Sequence, residues 1–274
     1  VPYRAAWLRA LLLEMERVAN HLGDLGYLGS DVALSFGFMQ FWRLKEDWLR
    51  LSTQLFGHRY LFDCILPGGV AVDIDVRGKS ELQALCERIM GEVHVLKGIY
   101  DEHTGLQDRF TDTGIVKPEL ASRLGLTGLA GRASSQAWDA RVQFPWKPYD
   151  QLDVNMAIQK SGDVLARAEV RFSEVFESLR LIRELLKHLP AGELRAPCTK
   201  AGTVCEGLGW VEGWRGPVIV AVRISEDGTL DRVHPHDPSW QNWPVLEVGV
   251  LGNIVPDFPL INKSFNLSYS GPDL

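Results

Sequence analysis

The sequence predicts a mainly α fold with a small antiparallel β-meander, an α+β chain built on a long-helix bundle. Three observations carry this. Four long stretches repeat apolar side chains at every third or fourth position, the helical spacing. After Pro190 the texture changes to short runs punctuated by turn residues. The composition, 46% apolar and 23% charged over 274 residues, is that of a globular chain able to bury a core without disulfide or metal staples. Residues 1–192 read as the helical bundle core. Residues 193–274 read as a small antiparallel sheet plus an irregular C-terminal tail packing on the bundle, within one structural domain.

The first helix is expected over 3–25, where Trp7, Leu11, Glu14, Val18, His21 and Leu25 recur at three or four. Leu8, Leu12 and Met15 extend its apolar surface, which makes it central, and Gly23 and Gly26 weaken its end. A second helix over 37–56 carries Phe38, Phe41, Trp42, Trp48, Leu49, Leu55 and Phe56 and stops at Gly57. Leu66-Pro67-Gly68-Gly69-Val70 is a turn. A third helix spans 81–103, with Ser80 and Gln83 at capping-box spacing. A short helix should follow Pro118, and 126–160 read as irregular. A fourth long helix covers 162–189, ended by Pro190 and Gly192. Then come a linker over 193–203 and strands over 206–213, 217–224 and 229–234. Pro238, Pro244, Pro256 and Pro259 break up the remainder.

Net charge is −6, from 29 basic and 35 acidic residues, so no general electrostatic footprint for nucleic acid is present. No apolar run reaches the ~18 residues of a membrane span. Val1-Pro2-Tyr3-Arg4 has no signal-peptide layout and no starting Met, so the chain reads as a piece of a longer protein. Cys64, Cys86, Cys198 and Cys205 are scattered, with no Cys-x-x-Cys pair. They suggest buried thiols in a reducing compartment and weigh against a Cys-rich metal centre.

Glu14, Arg17, His21 and Asp24 fall within about 80° of one helix stripe at ~100° per residue. Carboxylate and imidazole on a mostly apolar helix can relay protons near neutral pH. The same spacing also fits a solvated face laced by local ion pairs. His234-Pro235-His236-Asp237 offers metal-ligand types, but no second cluster completes a site, and it reads as a polar loop. Trp210, Trp214, Trp240 and Trp243 suit core packing or a subunit interface. No nucleotide fingerprint, Walker A motif or nucleophile elbow occurs.

An ordered series of motifs then points further. Glu14-Met15-Glu16-Arg17 leading to Asn20-His21-Leu22 resembles a Glu-x-x-Arg-x-x-Asn-His-Leu helix. Gly57-His58-Arg59 precedes Pro67-Gly68-Gly69-Val70, and Arg109 precedes Gly114-Ile115-Val116. Gly125, Gly128, Arg132-Ala133-Ser134, Trp138-Asp139-Ala140-Arg141 and Pro148-Tyr149 follow in order. Gly162-Asp163, Arg167, Arg171, Glu174 and Ser178 continue through the fourth long helix. In this order and spacing the chain resembles the large subunit of nickel–iron hydrogenases of the energy-converting, formate hydrogenlyase and hydrogenase-4 type. It equally resembles the related 49-kDa (D) subunit of respiratory complex I. The resemblance runs over most of the chain.

The resemblance implies a long-helix bundle packed against a small iron–sulfur subunit and joined through partners to membrane-arm subunits. The expected place is peripheral, on the cytoplasmic face of the inner membrane. It implies an iron–sulfur cluster held by the partner, a possible quinone ligand, and no cofactor bound by this chain itself. Asp31 falls where complex I subunits carry an acidic residue near the quinone cavity. Glu14, Arg17, His21, Asp24 and Asp31 thereby become candidate proton-coupling residues. The hydrogenase C-terminal motif, Asp-Pro-Cys-x-x-Cys-x-x-Arg, holds nickel through its two thiolates. In register with it, Ser268 and Gly271 occupy the two cysteine positions, so the usual nickel site is expected to be lost. The family's other cysteine pair, and the His and Tyr offered to quinone, belong upstream of this sequence. Two roles follow: a redox-coupling subunit without nickel, or a non-catalytic scaffold of the same complex.

Overall fold

The computed structural model describes residues 1–198 and 202–273. In chain order, α1 (Tyr3–Asp31) and α2 (Ser35–Phe56) lead into a hairpin of β1 (Ile65–Leu66) and β2 (Gly69–Val70). α3 (Val76–Glu102) and α4 (Thr104–Phe110) follow, then α5 (Pro118–Arg123), α6 (Gly128–Ala133) and α7 (Ala140–Gln143). α8 (Val164–His188) completes the bundle. β3 (Cys205–Glu212), β4 (Pro217–Ile224) and β5 (Leu230–His236) form the meander, and α9 (Ser239–Gly249) and α10 (Phe258–Phe265) come last. Of the expected linker, 199–201 lie outside the described residues, while Arg195 bridges to Gly69.

α1 is central because it is apolar around most of its girth: α2 and α8 pack along it and α10 crosses it. Leu8, Leu11, Met15, Val18 and Leu22 are fully buried there, each contributing about 1.5–3 kcal/mol by leaving water. Trp48 of α2 donates its indole N–H to the Met15 carbonyl at 2.9 Å. Phe41, Tyr100 and Phe172 tie α2, α3 and α8 together, with ring centroids 5.5 to 5.9 Å apart.

Two helix boundaries and the tail differ most from expectation, each for a local reason. α1 does not end near Gly23 and Gly26 but continues to Asp31. A Cβ at Gly26 would stand 2.8 Å from Trp42 Cδ1, so this glycine lets α2 approach and does not stop the helix. α3 starts at Val76, because Asp75, not Ser80, is the cap and accepts the Gly78 amide at 2.7 Å. The expected irregular tail contains α9 and α10: Pro259 sits in the first turn of α10, where its missing N–H costs nothing, and Pro244 is carried inside α9. The region 126–160 is irregular apart from α6, α7 and one 3₁₀ turn at Tyr149–Gln151. Gly57 ends α2 as expected, left-handed at φ +84°.

The meander is antiparallel in the order β3-β4-β5. Alternation places Val218, Val220, Val222 and Ile224 on one face, beside Cys205, Gly207, Gly209 and Val211 of β3 and Val233 and Pro235 of β5. That face holds no charged side chain. The opposite face mixes Trp210, Leu208 and Ile219 with Glu206, Arg223, Arg232 and His234. β3 from Glu206 to Val211 and β5 from Leu230 to His234 are exposed on both faces.

Candidate functional site

The α1 stripe is not a solvated face. Glu14 and His21 are 0% exposed, Arg17 1% and Asp24 7%. Their main partners come from elements far along the chain. Glu14 accepts from Arg141 Nη1 at 3.1 Å, from Tyr149 Oη at 2.6 Å and from Ser178 Oγ at 2.6 Å. Arg17 Nε lies 3.4 Å from Glu14, and its Nη1 and Nη2 donate to the carbonyls of Gly213 and Glu212 at 3.0 and 2.5 Å. His21 Nε2 meets Glu174 Oε2 at 2.7 Å. Arg171 Nε and Asn266 Nδ2 donate to Asp24 at 2.9 and 2.7 Å.

A second layer closes the cluster. Arg132 of α6 donates Nη2 to Glu174 at 2.6 Å and Nη1 to Glu212 at 2.9 Å. Asp139 caps α7 by accepting the Arg141 amide at 2.9 Å and takes the Arg141 guanidinium at 3.0 and 2.7 Å. Ion pairs thus connect Glu14, Asp139, Glu174 and Glu212 with Arg17, Arg132 and Arg141. The spacing of the stripe shows only the α1 members. Arg132, Asp139, Arg141, Tyr149 and Glu174 stand in the motif series, but nothing local marks them as one site, and Glu212 carries no signal at all.

Burial and charge set the protonation states. Burial opposes ionisation of Glu174, yet Arg132, His21 and Arg17 outweigh it and hold the carboxyl well below the usual range. Glu14 is likewise lowered, by Arg141 and Arg17 against its burial. Glu212 is raised, because burial and the Asp139 charge together exceed the pull of Arg132. Burial lowers His21 despite the Glu174 hydrogen bond. An ionised Glu174 accepts, so His21 carries its proton on Nε2, and Nδ1 is a buried acceptor without a partner.

Asp31 lies apart, at the C-terminal end of α1. Its Oδ2 is buried without a partner, and burial raises its pKa against the nearby charge of Lys263. Lys263 itself stacks over Tyr27, 4.1 Å from the ring centre. No hydrogen bond among the described residues joins Asp31 to the α1 cluster.

At the tail, Ser268 Oγ accepts the Gly271 amide at 3.0 Å. Trp243 and Trp240 donate to the carbonyls of Ser268 and Gly271, both at 2.9 Å. A Cβ at position 271 would stand 3.0 Å from Asp237 Cγ. A hydroxyl engaged with the backbone and a glycine without a side chain do not fit a nickel–thiolate centre. His234 and His236 lie on β5 and not in a loop, and among the described residues no group of three or more His, Cys, Asp or Glu could hold a metal ion. Cys64 and Cys86 are buried, but Cys198 is exposed and Cys205 half-buried, against the expectation of four buried thiols. Among the described residues no helix is long and apolar enough to cross a membrane.

Comparison with known proteins agrees with the motif series. Residues 31–207 match the family described as the respiratory-chain NADH dehydrogenase 49 Kd subunit. Formate hydrogenlyase subunit 5 of Escherichia coli K12 is 31% identical over 273 residues, which is 100% of this chain and 48% of that protein. An NADH-quinone oxidoreductase subunit of Acidiphilium cryptum is 30% identical over 195 residues, 71% of this chain and 48% of that protein. The chain spans about half the length of these curated relatives. Among solved structures, a chain of the membrane-bound sulfane sulfur reductase, an archaeal respiratory membrane complex, superposes with a TM-score of 0.92 at 28% identity, covering 100% of this chain and 76% of that chain. The chain belongs to the family of the 49 kDa subunit of respiratory-chain NADH dehydrogenase.

Proposed function

We propose that the chain is the large-subunit-type component of a membrane-associated electron-transfer complex, has no nickel site of its own, and couples redox change to proton movement. One observation carries the coupling. The connected cluster holds four carboxylates, Glu14, Asp139, Glu174 and Glu212, against three guanidiniums, Arg17, Arg132 and Arg141. With His21 neutral it is one proton short of balance. His21 Nδ1 is the open position for that proton, and Glu212, with its raised pKa, is the second.

Electrons belong to groups held by partners; this chain's residues respond to their charge. A unit negative charge arriving within about 12 Å stabilises an imidazolium by roughly 1.4 kcal/mol at an effective dielectric near 20, about one pK unit. Such a charge acts in the direction that loads the neutral His21. A small iron–sulfur subunit and membrane-arm subunits are the proposed partners, with Asp31 facing a quinone-like cavity as a further proton site outside the cluster. Formate hydrogenlyase subunit 5 matches the whole chain while the quinone oxidoreductase relative matches 71% of it, which supports the hydrogenase-like branch. The position proposed is peripheral, on the cytoplasmic side, with membrane contact made by partners.

The test is a reconstituted complex carrying His21→Ala or Asp31→Asn. Electron transfer and proton translocation are measured together, and the expected result is fewer protons moved per electron. Unchanged stoichiometry in both variants refutes coupling through these residues. Metal analysis of the purified complex tests the tail: nickel in stoichiometric amount on this chain overturns the nickel-free reading. A scaffold role without chemistry is the second reading, favoured by the uncharged apolar face of the meander and its exposed edge strands. It would stand if electron transfer and coupling survived removal of every ionisable group in the cluster.

A further inference from the structure

We propose that Trp214 is the partition between solvent and His21, and so a positioning residue for the proton acceptor; the inference rests on the coupling role proposed for His21. A groove of about 320 Å³ runs beside α1, lined by Glu16, Asn20, Arg59, Tyr60, Trp214 and Arg215 among others. Trp214 is half-buried, exposed toward the groove. On its other side its ring stands perpendicular to the His21 imidazole, with centroids 6.3 Å apart. His21 is 0% exposed and its Nδ1 has no partner. The charged groups around the imidazole are Arg17 and Asp24 from α1 and Glu174 and Arg171 from α8, with Arg132 of α6 locked onto Glu174. The indole thus packs against the buried imidazole and also lines the groove.

The turn that carries Trp214 is held by the ionic cluster itself. Arg17 grips the carbonyls of Glu212 and Gly213 at 2.5 and 3.0 Å. Arg215 stacks on the indole, 3.9 Å from its centre, and donates to the Asn266 carbonyl at 2.5 Å. His21 Nε2 and Arg17 Nη1 share one oxygen, Glu174 Oε2, at 2.7 and 3.6 Å.

The test is chemical labelling of histidines by diethyl pyrocarbonate on the full-length protein, read residue by residue by mass spectrometry. Exposed His94 and His188 are internal controls. In the unaltered protein His21 stays unlabelled while the controls react. Trp214→Ala raises the His21 rate by at least about tenfold, the signature of local opening, with the controls unchanged. Trp214→Phe keeps a ring in place and stays close to the unaltered rate. Equal His21 rates in the two variants, or His21 as reactive as His94 in the unaltered protein, overturn the proposal. If Trp214→Ala unfolds, so that every histidine labels alike, Trp214→Leu against Trp214→Phe decides by the same rates. Labelling reads no electron transfer, so a failure of proton coupling in the complex and a failure of the partition give different results.

Discussion

His21 and Glu174 meet across 153 positions of sequence, at 2.7 Å, and that contact decides what the α1 stripe is. Spacing shows that Glu14, Arg17, His21 and Asp24 share one side of a helix. It leaves open whether that side is wet, because the answer sits in Arg141, Glu174 and Arg171, more than a hundred positions away. The desolvated His21 has a measurable consequence. Its folded pKa lies below the unfolded value near 6.5, so the unfolded chain takes the proton first as pH falls. Stability from this group is complete above that value and declines below it. Between pH 7.5 and 5.5 the intact chain should lose up to about 1.4 kcal/mol more than His21→Gln, measured by urea unfolding. Equal losses in the two would show that His21 is not desolvated.

Among elements, the long helices are readable because apolar spacing over twenty or more residues leaves few alternatives. Their ends are less readable, since a glycine signals either a stop or a close approach. In α1 it is approach: the position of Gly26 faces Trp42 Cδ1 at 2.8 Å and Phe41 Cβ at 3.2 Å. Gly26→Ala would improve helix propensity by about 1 kcal/mol in isolation. Overpacking against two rings outweighs that gain, and a net loss of about 1–2 kcal/mol in denaturant unfolding is expected. A neutral or stabilising result would mean that α2 can shift away. The tail helices escape the sequence pattern because proline reads as a breaker, whereas Pro256 and Pro259 each open a helical turn.

At the scale of the whole molecule, the motif series identifies the family, and the structure shows that part of it, Glu14, Arg17, Arg132, Asp139, Arg141 and Glu174, forms with Glu212 a buried ionic cluster threaded through α1, α6, α7, α8 and the end of β3. Chain order alone cannot bring Glu212 into that cluster, because a lone glutamate at the end of a strand carries no periodic or motif signal. The meander has a different bearing, on handling and assembly. Its edge strands β3 and β5 are exposed and the valines of β4 between them are half-buried, and such surfaces seek another sheet. Expressed by itself the chain should self-associate as concentration rises, visible in light scattering. Val222→Lys, at the centre of the apolar face between Gly207 and Val233, should keep it monodisperse without changing its thermal melt. A subunit with this property is safest when its covering surface is made beside it, so co-expression with its partners should decide whether soluble material is obtained at all.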